Sequence, residues 1–257
     1  MPLVSIIAAC RNGATTIERM LDSIVCQTFR DFELIIIDGA STDGTQDFLR
    51  KHNELISYWV SEPDNSIAEA WNKGLARARG EWILFLGVDD ALDRATVLED
   101  MAPHLNDATT DLVYGKTLVV NGLFDGQMKG EPFNIKGLRR SMTLPHNSIF
   151  HARHLFDEVG LFDPEFQICL DYDLLLRKRD LTGLFVPIIV ARMNGADTTS
   201  TSNPIKSFAD AAKAQYKNRS MSLPSIWLRF LREVAYNYWV RLKRRVQIKE
   251  QPAKSRI

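Results

Sequence analysis

Cysteine is scarce in this chain: Cys10, Cys26 and Cys169 are odd in number and scattered along 257 residues. Neither a disulfide framework nor a CxxC redox or metal motif can be built from them, so a reducing compartment is the better reading. No stretch approaches the length of uncharged apolar residues that spans a bilayer, and MPLVSIIAACRN lacks a basic region leading into a long apolar one. A cytosolic chain without a spanning helix is expected. Net charge is also missing, with 32 Lys and Arg against 32 Asp and Glu. That balance removes any whole-chain argument for nucleic acid as a partner. Finally, residues 39–44 read GASTDG, but Thr45 stands where a P-loop needs Lys, and no GxGxxG follows an apolar run. An ATPase or a dinucleotide-dependent oxidoreductase therefore has no support.

What the chain does have is a hydrophobic content of 45% and enough length for a sizeable core. Apolar runs of strand length at 3–9, 32–37, 56–61 and 82–86 alternate with helical spacing at 17–25, 45–52 and from Ser66 to about Arg79. Four strands and three helices in about ninety residues imply an α/β fold with parallel strands and right-handed crossovers. Beyond Asp93, helix is expected to Leu105 and again over 171–180, with strands over 111–120, 145–151 and 184–193, and a Thr- and Ser-rich loop at 194–203. Three parts follow: residues 1–120, 121–205 and a helical extension over 206–257. In that extension, from residue 225 onward, nine basic residues stand against only Glu233 and Glu250.

The first four strands hand over polar residues at one end: Arg11 and Asn12, then Asp38, then Asp64, then Asp89 and Asp90. In a parallel sheet those ends share one edge, where ligands of open α/β sheets bind. Acids remote in sequence are thereby expected to converge. A carboxylate-rich edge suits a hard divalent cation such as Mg²⁺ or Mn²⁺, which completes its shell with phosphates. Asp38 and Asp64 would be left to hydrogen-bond a base or a ribose.

The segments SIIAACRNGATTIERMLDSIVCQTFRDFELIIIDGASTDGT, SEPDNSIAEAWNKGLARARGEWILFLGVDDAL and GLFDPEFQICLDYDLLLRKRD resemble the family 2 glycosyltransferases. The likeness runs over roughly residues 3–195. It implies the GT-A fold, Rossmann-like with a mostly parallel sheet flanked by helices, and sugar transfer from a nucleotide-sugar donor with inversion at the anomeric carbon. It implies a saccharide acceptor, lipid-linked, in surface polysaccharide synthesis. By position, Asp38 would contact the nucleobase, Asp90 the divalent cation, and Asp89 the ribose or the cation. Ala8, Arg11, Asn12 and Asp64, together with Asn72 and Lys73, would complete the donor side. Asp171 matches the catalytic base, and His146 and Asp173 would meet the acceptor. Two other classes stay open: a nucleotidyltransferase, although residues 8–16 lack its Gly-rich, Arg-bearing loop, and a nucleotide-binding subunit that turns nothing over.

On a helix, Trp227, Leu231, Val234, Tyr238 and Leu242 of the basic extension fall on one stripe. That stripe either packs on the body of the protein or, with its surrounding arginines, docks on an anionic membrane surface. The second choice implies a peripheral position on the cytoplasmic face of the inner membrane.

Overall fold

A computed structural model of the chain describes residues 1–106, 109–196 and 203–250. The expected loop at 194–203 lies largely on residues outside these. Nine strands form one sheet in the order β3-β2-β1-β4-β8-β6-β9-β5, with β7 paired to β6. The strands are β1 (Val4–Cys10), β2 (Phe32–Asp38), β3 (Tyr58–Ser61), β4 (Trp82–Gly87), β5 (Ala91–Leu92), β6 (Leu112–Val120), β7 (Met128–Lys129), β8 (Ile149–Ala152) and β9 (Gly183–Asn194). The first four are mutually parallel, and the crossovers between them carry α1 (Ile17–Val25), α2 (Thr45–Lys51) and α3 (Ile67–Leu75).

These strands read as unbroken apolar runs because both faces are covered. Ile6, Ala8, Leu34, Leu84 and Leu86 lie in a core with α1, whereas Ile7, Ile35, Ile37, Ile83 and Phe85 pack with α3 on the other face. Alternation therefore separates two cores rather than core from solvent. The helix from Ser66 begins as its sequence implies, with the Ser66 hydroxyl accepting from Glu69 N at 3.2 Å. It ends at Leu75, short of Arg79. Gly80, expected as its stop, is needed for a different reason: a Cβ there would lie 2.5 Å from Ser5 N on β1.

Past β4 the sheet becomes mixed, since β8 runs antiparallel to both β4 and β6, while β6 and β9 pair in parallel. The strand expected over 145–151 starts late. Ser148 N donates to Pro145 O, closing a turn over His146–Ser148 before β8 begins. Register between β6 and β9 shifts around Gly115, where a Cβ would lie 2.7 Å from Ile188 O. Pro187 sits in the same irregularity, the place in a strand where a missing N–H is tolerated. Short β5 returns across the sheet to pair with β9. The later helices are α4 (Val97–Met101), α5 (Ile135–Leu138), α6 (Arg153–Val159), α7 (Leu170–Arg177), α8 (Pro204–Lys217) and α9 (Leu223–Glu250).

Glu33 on β2 locks the base of the parallel half. Its buried carboxylate accepts from Ser5 Oγ at 2.7 Å, Arg79 N at 2.6 Å and Arg79 Nε at 3.0 Å. Burial works to raise its pKa, but these donors and the Arg79 charge outweigh it, and the value falls below the ordinary one. A depressed carboxylate pKa stabilises the fold above the unfolded value and loses that contribution as pH falls. Glu33→Gln should therefore cost about 1–3 kcal/mol at pH 7. In urea denaturation the gap to the parent should close as acid takes the protein through the lowered pKa of Glu33, where Glu33 itself takes up a proton.

Candidate active site

The parallel register puts the expected polar residues on one edge: Cys10 pairs with Asp38, Asp38 with Ser61, and Ala9 with Gly87. The loops beyond them are stitched together. Asn12 N donates to Ser41 Oγ at 2.7 Å, and Thr42 N to Asn12 Oδ1 at 3.1 Å. Asn12 and Ala40 both adopt φ near +54°, a conformation that Asn tolerates and that strains Ala. Asp38 is fully buried, and its carboxylate accepts from Ser41 N, Ser41 Oγ and Ser61 Oγ. Asp64 is the more open acid. It is half-buried against Gly39, where a Cβ would meet its Oδ2 at 2.6 Å. Burial raises its pKa, and the charges of Lys73 and exposed Arg11 oppose the rise.

Several residues expected on the donor side have structural work instead. Ala8 is wholly enclosed in β1 between β2 and β4 and cannot touch a ligand with its side chain. Asn72 donates to Phe162 O at 2.8 Å and accepts from Phe162 N at 3.0 Å, strapping α3 to the segment before α7. Lys73 is held by Glu62 at 2.9 Å and Glu69 at 3.3 Å, and so fixes the loop that carries Asp64.

The acid pair after β4 sits in a turn closed by Asp90 N to Gly87 O at 3.0 Å. Both carboxylates lean over Gly87: a Cβ there would lie 2.8 Å from Asp89 Oδ1 and 3.1 Å from Asp90 Oδ2. Asp90 Oδ2 accepts from Asn147 Nδ2 at 3.0 Å and Oδ1 from Asn194 N at 3.2 Å, so residues of the second half grip an acid of the first. Thr117 Oγ in turn donates to Asn147 Oδ1 at 2.7 Å, which fixes the amide orientation. Burial, and then the Asp89 charge, push the Asp90 carboxyl up to about 7. A buried acid and a half-buried one that repel each other are the arrangement a hard divalent cation relieves, so Asp90 and Asp89 fit such an ion.

A second acidic cluster, Asp111, His154 and Glu158, does not fit one. Lys178 Nζ already lies 2.8 Å from Asp111 and 2.6 Å from Glu158, filling the place of a cation.

From Asp90 a cleft of about 560 Å³ runs past Lys129, Asn147 and His146 to Asp171. Asp171 lies in the first turn of α7, and burial pushes its carboxyl up to about 6. His146 Nδ1 is 3.7 Å from Asp171 Oδ2, too far for a hydrogen bond. The imidazole stacks on Trp71 at 4.5 Å and on Phe85 at 5.5 Å. Both of its nitrogens are buried without a partner, and burial pushes its pKa down to about 3, so the ring is neutral.

Asp173, expected beside the acceptor, faces the other way. It is fully buried, accepts from Arg177 Nε at 3.0 Å and from Asn218 Nδ2 at 2.8 Å, and ties α7 to the end of α8. Position on the helix explains this: Asp171 and Asp173 are two residues apart and cannot share a helical face.

With this geometry in place, comparison with known proteins is decisive. The sequence model described as Glycosyl transferase family 2 matches residues 5–158. The chain belongs to that family. Among curated family relatives, a PGL/p-HBAD biosynthesis glycosyltransferase of Mycobacterium bovis is 32% identical over 202 residues, covering 75% of this chain and 77% of the relative. The same figures hold for its Mycobacterium tuberculosis counterpart. Among solved structures, S. aureus TarS 1-349 in complex with UDP-GlcNAc aligns with a TM-score of 0.66 at 18% identity, covering 83% of this chain and 66% of that one. In another TarS structure the match is 39% of that chain. A Pyrobaculum calidifontis mannosyltransferase, in complex with GDP-Man and Mn²⁺, aligns with a TM-score of 0.65 at 20% identity, covering 91% and 69%. The fold of this glycosyltransferase is thus the GT-A fold.

Asn147, Thr117, Asn194 and Lys129 are the site residues that sequence reasoning missed. Asn147 had a signal, since it directly follows His146. Lys129 had none: its place comes from the pairing of Thr117 with Lys129 across β6 and β7, which sets both side chains on one face. Removing Asp173 tests its reassignment. Asp173→Ala should destabilise the protein by about 3 kcal/mol, as loss of one partner of a buried ion pair does. Thermal unfolding should show that loss, whereas a shift confined to acceptor KM would restore Asp173 to the acceptor site.

Proposed function

We propose that this glycosyltransferase moves a sugar from a nucleotide sugar to an acceptor hydroxyl with inversion, using the cleft between Asp90 and Asp171. The observation that carries this reading is that both acids line one cavity, Asp90 beside a second carboxylate and Asp171 beside neutral His146. Residues 1–120 form the donor half and 121–205 the acceptor half. Arg11, Asp38, Asp64 and Asp89 line the donor edge, and the UDP-GlcNAc and GDP-Man complexes of the structural neighbours support a nucleotide diphosphate there.

Asp90 and Asp89 would hold Mn²⁺ or Mg²⁺, and the Mn²⁺ complex of the mannosyltransferase supports this choice. When bound, such an ion neutralises the charge that grows on the departing diphosphate. Asp171 accepts the proton of the acceptor hydroxyl. Its raised pKa, about 6, makes it a stronger base than an ordinary carboxylate while leaving it ionised at pH 7. Neutral His146 lines the cleft beside Asp171 and would meet the acceptor there. The acceptor is a lipid-linked saccharide of surface polysaccharide synthesis, met at an anionic membrane surface through residues 225–257. Among the described residues no helix is long and apolar enough to cross a membrane.

Two variants and one pH series test the assignment. Asp171→Asn should slow turnover of the nucleotide sugar about 10²–10⁴-fold with donor affinity unchanged. In the parent, kcat/KM for the acceptor should fall tenfold per pH unit below about 6, because the free enzyme's base, with its raised pKa, is lost as it protonates. Asp90→Ala should remove the Mn²⁺-dependent thermal shift given by nucleoside diphosphates. Persistence of that shift in Asp90→Ala, or loss of donor affinity in Asp171→Asn, would exchange or remove the two roles.

A further inference from the structure

Among the described side chains of the stripe on α9, Trp227, Leu231 and Tyr238 are exposed and Val234 is half-buried. Ile226 is 5% exposed, and it lines with Phe230 a small cavity against Phe208 and Ala212 of α8. Trp227, Leu228 and Leu231 point away, at 61%, 72% and 59% exposed. Trp227 borders a cavity with Ala209, Ala212 and Tyr216 of α8, whereas between the Leu228 and Leu231 side of α9 and the segment at Arg140 and Ser141 lies a groove of about 790 Å³. Three guanidinium groups line it, from Arg140, Arg229 and Arg232, together with Met221, Leu228 and Leu231.

The charges in this groove are poorly matched. Glu233 is the acid that lines it, 3.9 Å from Arg229 and 3.7 Å from Arg232. Arg229 donates to Ser141 Oγ at 3.2 Å, yet its Nη1 is buried without a partner. The exposed Arg140 side chain has no partner among the described residues. Arg139, Arg179 and Arg219 line the next depression and extend the positive surface. The groove also abuts the active cleft, because Met142, Thr143 and Leu144 line the cleft directly after Arg140 and Ser141. Its wall is tied to the catalytic helix: Tyr172 Oη donates to Arg139 O at 3.1 Å, and Gln215 Nε2 to Arg140 O at 2.8 Å.

We propose that this groove seats the phosphate headgroup of an anionic membrane phospholipid. Arg140, Arg229 and Arg232 take the phosphate, while Leu228 and Leu231 enter the boundary of the acyl region. The mouth of the active cleft is thereby held at the membrane surface. Three guanidinium groups that share a single carboxylate, Glu233, leave charge and donors for a phosphate, and the exposed Leu228 and Leu231 beside them suit an interfacial helix. The inference rests on the membrane part of the proposed function and locates it on a built groove, rather than in the diffuse charge of the last residues.

Co-sedimentation of the full chain with phosphatidylcholine vesicles, with and without phosphatidylglycerol, tests it. The parent should bind only the vesicles that contain phosphatidylglycerol. At about fivefold per basic residue near an anionic surface, Arg140→Gln with Arg232→Gln should weaken binding about 30-fold, while hydrolysis of a soluble nucleotide sugar is unchanged. If that pair binds as the parent does, whereas neutralising Lys243, Arg244 and Arg245 releases the protein, the groove is refuted and the membrane reading stands. If the parent itself ignores phosphatidylglycerol, both fall.

Discussion

Asp90 is a carboxylate buried beside another carboxylate, and the site depends on holding it there. The two acids can lean over one point because residue 87 is glycine. Asp90 stays in place because Asn147 and Asn194, from the far half of the sheet, each give one of its oxygens a donor. This grip in turn requires β8 to run antiparallel against β4, so that the turn before β8 arrives at the carboxyl end of a parallel strand. The short return of β5 to β9 closes the same corner. A mixed sheet thus serves the chemistry: its parallel half delivers acids to an edge, and its antiparallel strands bring the groups that orient them.

The two ends of the cleft differ in what burial does to them. At Asp90 a neighbouring negative charge adds to desolvation, and the carboxyl is pushed up to about 7. At Asp171 desolvation acts without a like charge among its causes, and the result is a moderately strong base. His146, packed against both Trp71 and Phe85, is held neutral by the same burial. One physical effect, withdrawal from water, therefore yields three different roles according to what stands beside each group.

The parallel half was legible because strands covered on both faces leave an unmistakable apolar run, and parallel pairing leaves little freedom in where their ends fall. Asp89, Asp90 and Asp171 could be named for that reason and through family resemblance. The rest depended on partners far along the chain. Nothing local distinguishes Asp173, sealed against Arg177 and Asn218, from Asp171 two residues earlier. Asn72 and Lys73 are polar residues on the right helix, but Phe162 and Glu62 claim them. The stripe on α9 was readable as a stripe, and only packing against α8 shows which side of it faces outward. Periodicity tells which residues share a face; it does not tell which neighbour that face meets.

The central claim is that one base, Asp171, starts a single displacement across this cleft. Proton NMR of the sugar first released from a nucleotide sugar, recorded before mutarotation, tests it most directly. A single displacement gives the anomer opposite to that of the donor. Release of the same anomer would require a covalent intermediate on a second carboxylate, and would contradict the account.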